Sequence, residues 1–293
     1  MKTITVLSGK GGVGKSSISA SLSLLLSEKN KIIVADCDVD ASNLALVFGK
    51  KEDDFIEWEP ISTNRKAVFD LEKCNSCKKC FDSCYFNAIA WENNKPKLKQ
   101  FSCEGCEVCK MVCPVGAIKM EDVYNAKIGY TKTDYDFNLV SAQLDPGESG
   151  SGKLVSAVRR KAKDLSEGLD YLLVDSAAGI GCPVIASVVG SDYCILVAEP
   201  TPSSIADVSR ALEVVSHFDI KAGLIINKSD INEKYKKELL KFGKEKKLDF
   251  LGEIPYDKSF SNALVEMVPV IEFDNKLLKN FQNIRSRLFE KIA

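Results

Sequence analysis

The sequence predicts a doubly wound α/β fold with a parallel sheet, interrupted by a small cysteine-rich α+β domain. Three observations predict it. Short apolar runs alternate with amphipathic helical stretches through most of the chain, the pattern of a parallel sheet covered on both faces. A glycine-rich loop, Ser8–Ser17, joins the first apolar run to the first helical one. From about Arg65 to Asp122 that rhythm stops and cysteines take over.

The loop reads S-G-K-G-G-V-G-K-S-S. Gly9, Gly14, Lys15 and Ser16 fit G-x-x-x-x-G-K-[ST], the phosphate-binding pattern. Glycines let backbone N–H groups converge on phosphate oxygens, the lysine reaches the terminal phosphates, and the hydroxyl is offered to Mg²⁺. Lys2–Leu7 is a short β-branched run and Ser16–Glu28 has helical periodicity with Leu22, Leu25 and Leu26 apolar. The loop therefore sits at a helix N-terminus, where the macrodipole favours an anion. Gly9, Gly11, Gly12, Val13, Gly14, Lys15, Ser16 and Ser17 form the expected phosphate-binding set.

Lys31–Ala35 is a buried-type strand running into Asp36-Cys37-Asp38-Val39-Asp40, and Ala41–Phe48 follows as a short helix. The pattern breaks near Pro60 and resumes with a strand at Asp136–Leu144 and a helix at Lys153–Leu165. Tyr171–Val174 is an apolar strand ending in Asp175, and strands at Tyr193–Ala198, Ala222–Ile226 and Phe250–Ile254 alternate with helices at Pro183–Val189, Ser203–His217 and Glu233–Lys246. Helices near Ser259–Glu266 and Asn275–Ile292 close the chain. Ligands bind at the carboxyl ends of such strands, where Asp36, Asp38, Asp175 and Asn227 fall. The expected organisation is one discontinuous domain, residues 1–62 and 123–293, with an insertion at 63–122.

With Lys10 inside it, the loop resembles K-G-G-x-G-K-[ST] of the deviant P-loop ATPases of the MinD/ParA family, which includes Mrp-type iron–sulfur carriers and the nitrogenase iron protein. The resemblance implies bound ATP and Mg²⁺ and an ATP-sandwich homodimer in which Lys10 reaches the partner's nucleotide. It also implies that Asp38, supported by Asp36 in a D-x-D switch segment, positions the attacking water. Leu172-Leu173-Val174-Asp175 resembles the Walker B strand, with Gly179 in the segment after it, although the usual proline is absent from Ser176-Ala177-Ala178-Gly179. Asn227 and Pro255 match base-side positions. Asn227-Lys228-Ser229-Asp230 also resembles the guanine-reading N-K-x-D, so GTP stays open as an alternative. Gly147–Lys153 repeats the G-x-x-x-x-G-K spacing, but Leu154 follows where a hydroxyl is needed, and the segment reads as a turn before a helix.

The cysteines run Cys74-x2-Cys77-x2-Cys80-x3-Cys84 and Cys103-x2-Cys106-x2-Cys109-x3-Cys113-Pro114. Both match the bacterial ferredoxin pattern, whose fourth cysteine ligates the other cluster. The resemblance implies one [4Fe–4S] cluster on Cys74, Cys77, Cys80 and Cys113, and a second on Cys84, Cys103, Cys106 and Cys109. Structural zinc is the alternative, usually with two C-x2-C knuckles parted by a longer loop. Cys37, Cys182 and Cys194 remain. Mrp-type carriers bridge subunits with a cluster on a C-x2-C. None occurs here outside the cysteine domain, which leaves Cys182 as a candidate bridging ligand and Cys194 as a small buried hydrophobe.

Across 293 residues the chain is 45% apolar and 28% charged, with net charge −1, which argues against a nucleic-acid partner or membrane attraction driven by bulk charge. Eleven cysteines without a secretion pattern point to metal or redox chemistry in the cytoplasm. The single histidine, His217, rules against histidine-dependent triads. The last helix carries Leu277, Phe281, Ile284, Leu288 and Ile292 on one face, a stripe expected to pack on the sheet rather than on a membrane. The expected function is ATP-driven dimer motion coupled to electron delivery from the clusters to an unidentified redox or metallocofactor protein. The alternative is an Mrp-type carrier or scaffold for cluster assembly.

Overall fold

The computed structural model describes residues 1–148 and 150–292. The chain opens with β1 (Lys2–Ser8), α1 (Lys15–Ser27), β2 (Ile32–Cys37) and α2 (Leu44–Val47). The middle holds β3 (Glu57–Phe69), α3 (Lys79–Asp82), β4 (Ile89–Glu92), β5 (Lys95–Leu98), α4 (Val108–Met111) and β6 (Ile118–Lys132). Then come β7 (Asn138–Leu144), α5 (Gly152–Asp164), β8 (Tyr171–Ala178), α6 (Cys182–Val188), β9 (Tyr193–Ala198) and α7 (Pro202–His217). The chain ends with β10 (Ala222–Asn227), α8 (Glu233–Glu245), β11 (Asp249–Ile254), α9 (Ser259–Glu266), α10 (Val270–Phe273) and α11 (Leu278–Ile292). Contacts divide it into Met1–Glu59, Ile128–Gln143 and Gly150–Ala293 on one side and Pro60–Lys127 with Leu144–Ser149 on the other.

In the larger unit the strand order is β11-β10-β9-β1-β8-β2-β7, continued by β6 and β3. Every pairing from β11 to β7 is parallel. Strand side chains alternate between faces. Val6, Ile195, Val197 and Ile225 join one apolar cluster with α1 and α11. Their neighbours Leu7, Leu196, Leu224 and Ile226 join another with α7 and α8. This two-sided burial is why the strands read as continuous apolar runs.

Helix α1 is rich in serine, yet Ser17, Ser19, Ser21 and Ser23 are buried. Ser21 and Ser23 donate back to the carbonyls of Ser17 and Ser19 at 2.9 and 2.8 Å, and Ser19 donates to Asp175 at 2.7 Å. The hydroxyls of Ser19, Ser21 and Ser23 thus each have a partner, and the last of these bonds ties α1 to β8.

Two departures from the sequence reading have physical causes. The break near Pro60 is no end of regular structure: β3 and β6 are long strands there. Most of β3 is exposed or half-buried, so it has no apolar run, and its place at the sheet edge tolerates Pro60. Strand β8 also runs on through Asp175 to Ala178, beyond the expected end. The C-terminal stripe docks as expected, with Phe281, Ile284 and Leu288 fully buried. Arg285 fastens it by donating to the Leu25 carbonyl at 3.0 Å. Among the described residues no helix is long and apolar enough to cross a membrane.

In the smaller unit β4 and β5 form an antiparallel hairpin. Ala67, Ile89, Ile118 and Met120 make its core together with Cys80 and Cys109.

Phe281→Ala should cost about 3–5 kcal/mol of stability. Denaturant unfolding followed by circular dichroism measures it, and an unchanged midpoint would show that α11 is not part of the core.

Candidate functional site

The Ser8–Ser17 loop is shaped by its glycines. Gly12 and Gly14 have φ of 81° and 91°, where a side chain is strained. A Cβ on Gly14 would also lie 2.4 Å from the Asn227 amide nitrogen. That amide donates to the Val13 carbonyl at 2.8 Å, so the end of β10 holds the loop.

Lys15 is 6% exposed. Its ammonium lies 3.0 Å from Asp175 and 3.4 Å from Asp38. Burial works against its charge, but Asp175 and then Asp38 outweigh that and raise its pKa above the usual lysine value. Removing one partner of such a buried pair strands the other charge. The Asp175 Oδ2 and the neighbouring Ser176 hydroxyl are buried without a hydrogen-bond partner. The unsatisfied Asp175 oxygen beside Lys15, with the Ser16 hydroxyl 3.3 Å from Lys15 Nζ, supplies oxygen donors of the kind a hard cation such as Mg²⁺ takes. Gly179, at φ 98°, donates its N–H to Ser8 at 2.9 Å, which ties the segment after β8 to the end of β1.

Asp36 does not join Asp38 at the Lys15 ammonium. It is fully buried and accepts from the Ser42 hydroxyl at 2.7 Å and the Leu44 amide at 3.1 Å, clamping the turn that carries Asp38. Burial, with Asp175 nearby, pushes its carboxyl up to about 7. Asp40 accepts from the Gly150 amide at 2.6 Å. The second glycine-rich segment includes Ser149, which lies outside the described residues, and Ser151 caps α5.

Lys10 points to neighbours of its own chain. Its ammonium is 3.3 Å from Glu199 and 3.4 Å from the Ser203 hydroxyl. Lys228 meets the same Glu199 at 2.8 Å and the Gly12 carbonyl at 3.0 Å. Burial would raise the Glu199 pKa, but Lys228 and Lys10 hold it below the ordinary value. Sequence reading missed Glu199, since a lone glutamate after an apolar strand carries no spacing signal.

Beside the loop, Gly14, Ser17, Asn227, Pro255, Tyr256 and Phe260 border an open cleft of about 220 Å³. That size and lining suit a flat heterocyclic base. Asp230 is engaged elsewhere, accepting from the Tyr256 amide at 2.7 Å.

The cysteines of the smaller unit gather in crossed sets. Cys74, Cys77, Cys80 and Cys113 line one hollow, and Cys84, Cys103, Cys106 and Cys109 line another. Matched left-handed residues shape the two halves: Ser76 and Gly105, Lys78 and Glu107, Asn87 and Gly116. The Ala88 amide donates to Cys84 Sγ at 3.3 Å and the Ala117 amide to Cys113 Sγ at 3.2 Å. Among the described residues no three His, Cys, Asp or Glu side chains converge on a point suited to a single ion. A cage of four irons is instead met at its corners, by thiolates that surround a hollow and accept amide hydrogen bonds. Both sets fit that requirement.

Of the other cysteines, Cys37 and Cys194 are buried and Cys182, at the start of α6, is exposed. Burial pushes the Cys194 thiol up to about 12 and Cys37 higher still, so both are inert.

A carboxyl raised by burial holds its proton in the folded state and releases it at lower pH when unfolded. Its contribution to stability is therefore lost as pH rises from about 4 to about 7. Asp36→Asn should unfold with a smaller loss of stability than the parent between about pH 4 and about pH 7. Parallel curves for the two proteins would rule out a protonated Asp36. Gly14→Ala should abolish phosphate-ligand retention, read by equilibrium dialysis.

Comparison with known proteins places this geometry. A family model described as the CobQ/CobB/MinD/ParA nucleotide binding domain matches residues 4–270. An uncharacterized protein of Methanocaldococcus jannaschii is 31% identical over 298 residues, 99% of this chain and 97% of that one. The iron-sulfur cluster carrier protein of the same organism is 24% identical, covering 99% of this chain and 84% of its own length. The septum site-determining protein MinD of Pyrococcus horikoshii, solved with Mg-ADP, shares the fold with a TM-score of 0.60 at 17% identity, over 98% of this chain and 95% of that one. By the match over residues 4–270, which spans the loop, both strand-end aspartates and the cleft, the chain belongs to the CobQ/CobB/MinD/ParA family of nucleotide-binding domains.

Proposed function

We propose that this chain is a Mg-ATP-hydrolysing homodimer that carries or assembles iron–sulfur or related metallocofactors for a partner protein, with a two-[4Fe–4S] ferredoxin-type domain at 63–122. One observation carries the iron–sulfur part: the eight cysteines separate into two hollows in crossed sets, each with an amide directed to a sulfur. The carrier role draws on the carrier-named relative, which aligns with nearly the whole chain. It takes precedence over electron delivery, the function expected from the sequence.

Lys15 would neutralise the terminal phosphates, Ser16 and the Asp175 side would hold Mg²⁺, and Asp38 would orient water. The metal supplies charge neutralisation at the phosphates. Phosphates arriving at Lys15 compete with Asp38 and Asp175 for its ammonium, and so loosen the turn that Asp36 clamps. Lys10 would have to leave Glu199 to reach a partner's nucleotide, so dimer formation competes with the internal Glu199 contact. The cleft beside Pro255 would take adenine. Asp230, bound to the Tyr256 amide, is less available for guanine reading.

Electron transfer stands as a second reading because one apolar core, which includes Cys80 and Cys109, backs both hollows and suits resident clusters. Anaerobically loaded protein separates the two. The carrier reading expects iron to pass to an apo-ferredoxin acceptor faster with Mg-ATP than without. Full iron retention together with ATP-dependent reduction of a viologen dye would establish electron transfer instead. Zinc in place of iron would overturn both. Lys10→Ala should keep Mg-ATP binding and lose about 10²-fold or more in turnover. Unchanged turnover would remove Lys10 from the mechanism.

A further inference from the structure

The two cysteine hollows are copies in backbone and opposites in surroundings. Their matched amide–sulfur bonds, at 3.2 and 3.3 Å, are alike. The side chains at equivalent repeat positions are not. Trp91 lines the hollow of Cys74, Cys77, Cys80 and Cys113, and its indole N–H is buried without a partner. Met120, which has no donor, takes the equivalent place in the other hollow. Lys78 lines the first hollow, and at its repeat position in the second stands Glu107, with Glu104 beside it. Half-buried Lys95 adds to the contrast: its ammonium donates to the Cys74 carbonyl at 2.7 Å and the Leu71 carbonyl at 2.8 Å. Glu107 is shared by Arg65 at 3.0 Å and Lys110 at 3.1 Å, whereas Glu104 is exposed.

One-electron reduction of an iron–sulfur cluster adds a negative charge. Nearby cations and N–H donors favour the reduced form, and carboxylates oppose it. We propose that Trp91, Lys78 and Lys95 make the Cys74/Cys77/Cys80/Cys113 cluster the more easily reduced of the two, so that a single electron from a low-potential one-electron donor rests there, while Glu104, whose charge is not shared as that of Glu107 is by Arg65 and Lys110, disfavours reduction of the other cluster. The inference rests on the iron–sulfur reading of the hollows. It is independent of whether the chain carries clusters or electrons, and it assigns the first hollow as the electron store of the pair.

The test is a dithionite titration of the full-length, anaerobically reconstituted protein, followed by electron paramagnetic resonance. About eight iron atoms per chain must be present first. If they are absent, the iron–sulfur reading itself fails, and that outcome is distinct from any result of the titration. With iron bound, two reductive waves are expected, separated by at least tenfold in electron partition, about 59 mV for one electron. Trp91→Phe keeps an aromatic ring and removes the N–H, and Lys95→Met removes the cation. Each should lower the upper wave and leave the lower one in place. Glu104→Gln, at an exposed position that folding does not require, should raise only the lower wave. A single shared midpoint in the parent protein, or waves unmoved by Lys95→Met and Glu104→Gln, would overturn the proposal.

Discussion

The Lys15 ammonium is the constraint around which the larger unit is arranged. Placing a cation in an interior site costs several kcal/mol unless opposite charge and hydrogen bonds compensate it. Asp38 supplies that charge from just beyond β2 and Asp175 from within the neighbouring β8, and Ser19 of α1 holds Asp175 in position. Loop, helix and two strands are thus bound to one another through a single charge. The same charge is what an incoming phosphate would take over. The local structure is therefore poised between an internal ion pair and a ligand, and the unpartnered Asp175 oxygen shows that the internal pairing leaves capacity unused.

Around this centre the carboxylates divide their work by burial. Asp36 sits deepest and serves the backbone of its own turn, while Asp38 is more open and faces the lysine. Glu199 plays a comparable role for the other two lysines, receiving Lys10 and Lys228 on separate oxygens. A chain that must release Lys10 to a second copy of itself would have to break this contact, which links nucleotide chemistry to the loop after β9.

The smaller unit shows a different economy. Its two halves share turn conformations and short helices at matched positions, so the fold is symmetric where the cysteines sit. Symmetry is abandoned in the side chains that set polarity, Trp91 against Met120 and Lys78 against Glu107.

Much of this was legible in the sequence because it depends on local spacing. The phosphate loop needs glycines at set intervals before a helix, and Ser8–Ser17 has them. Two-sided burial makes parallel strands apolar throughout, which exposed β1, β2, β9, β10 and β11 to reading within a residue or two. The two C-x2-C-x2-C-x3-C runs marked the cysteine-rich segment by spacing, and the crossed sets were implied only by their resemblance to the ferredoxin pattern. Strands β3 and β6 stayed hidden because half-exposed strands carry no apolar run. The parting of Asp36 from Asp38, the hold of Glu199 on Lys10 and the unequal linings of the hollows were decided only by the tertiary structure. Each depends on which distant groups meet and how deeply they are buried, and neither distance nor burial is written in the order of residues.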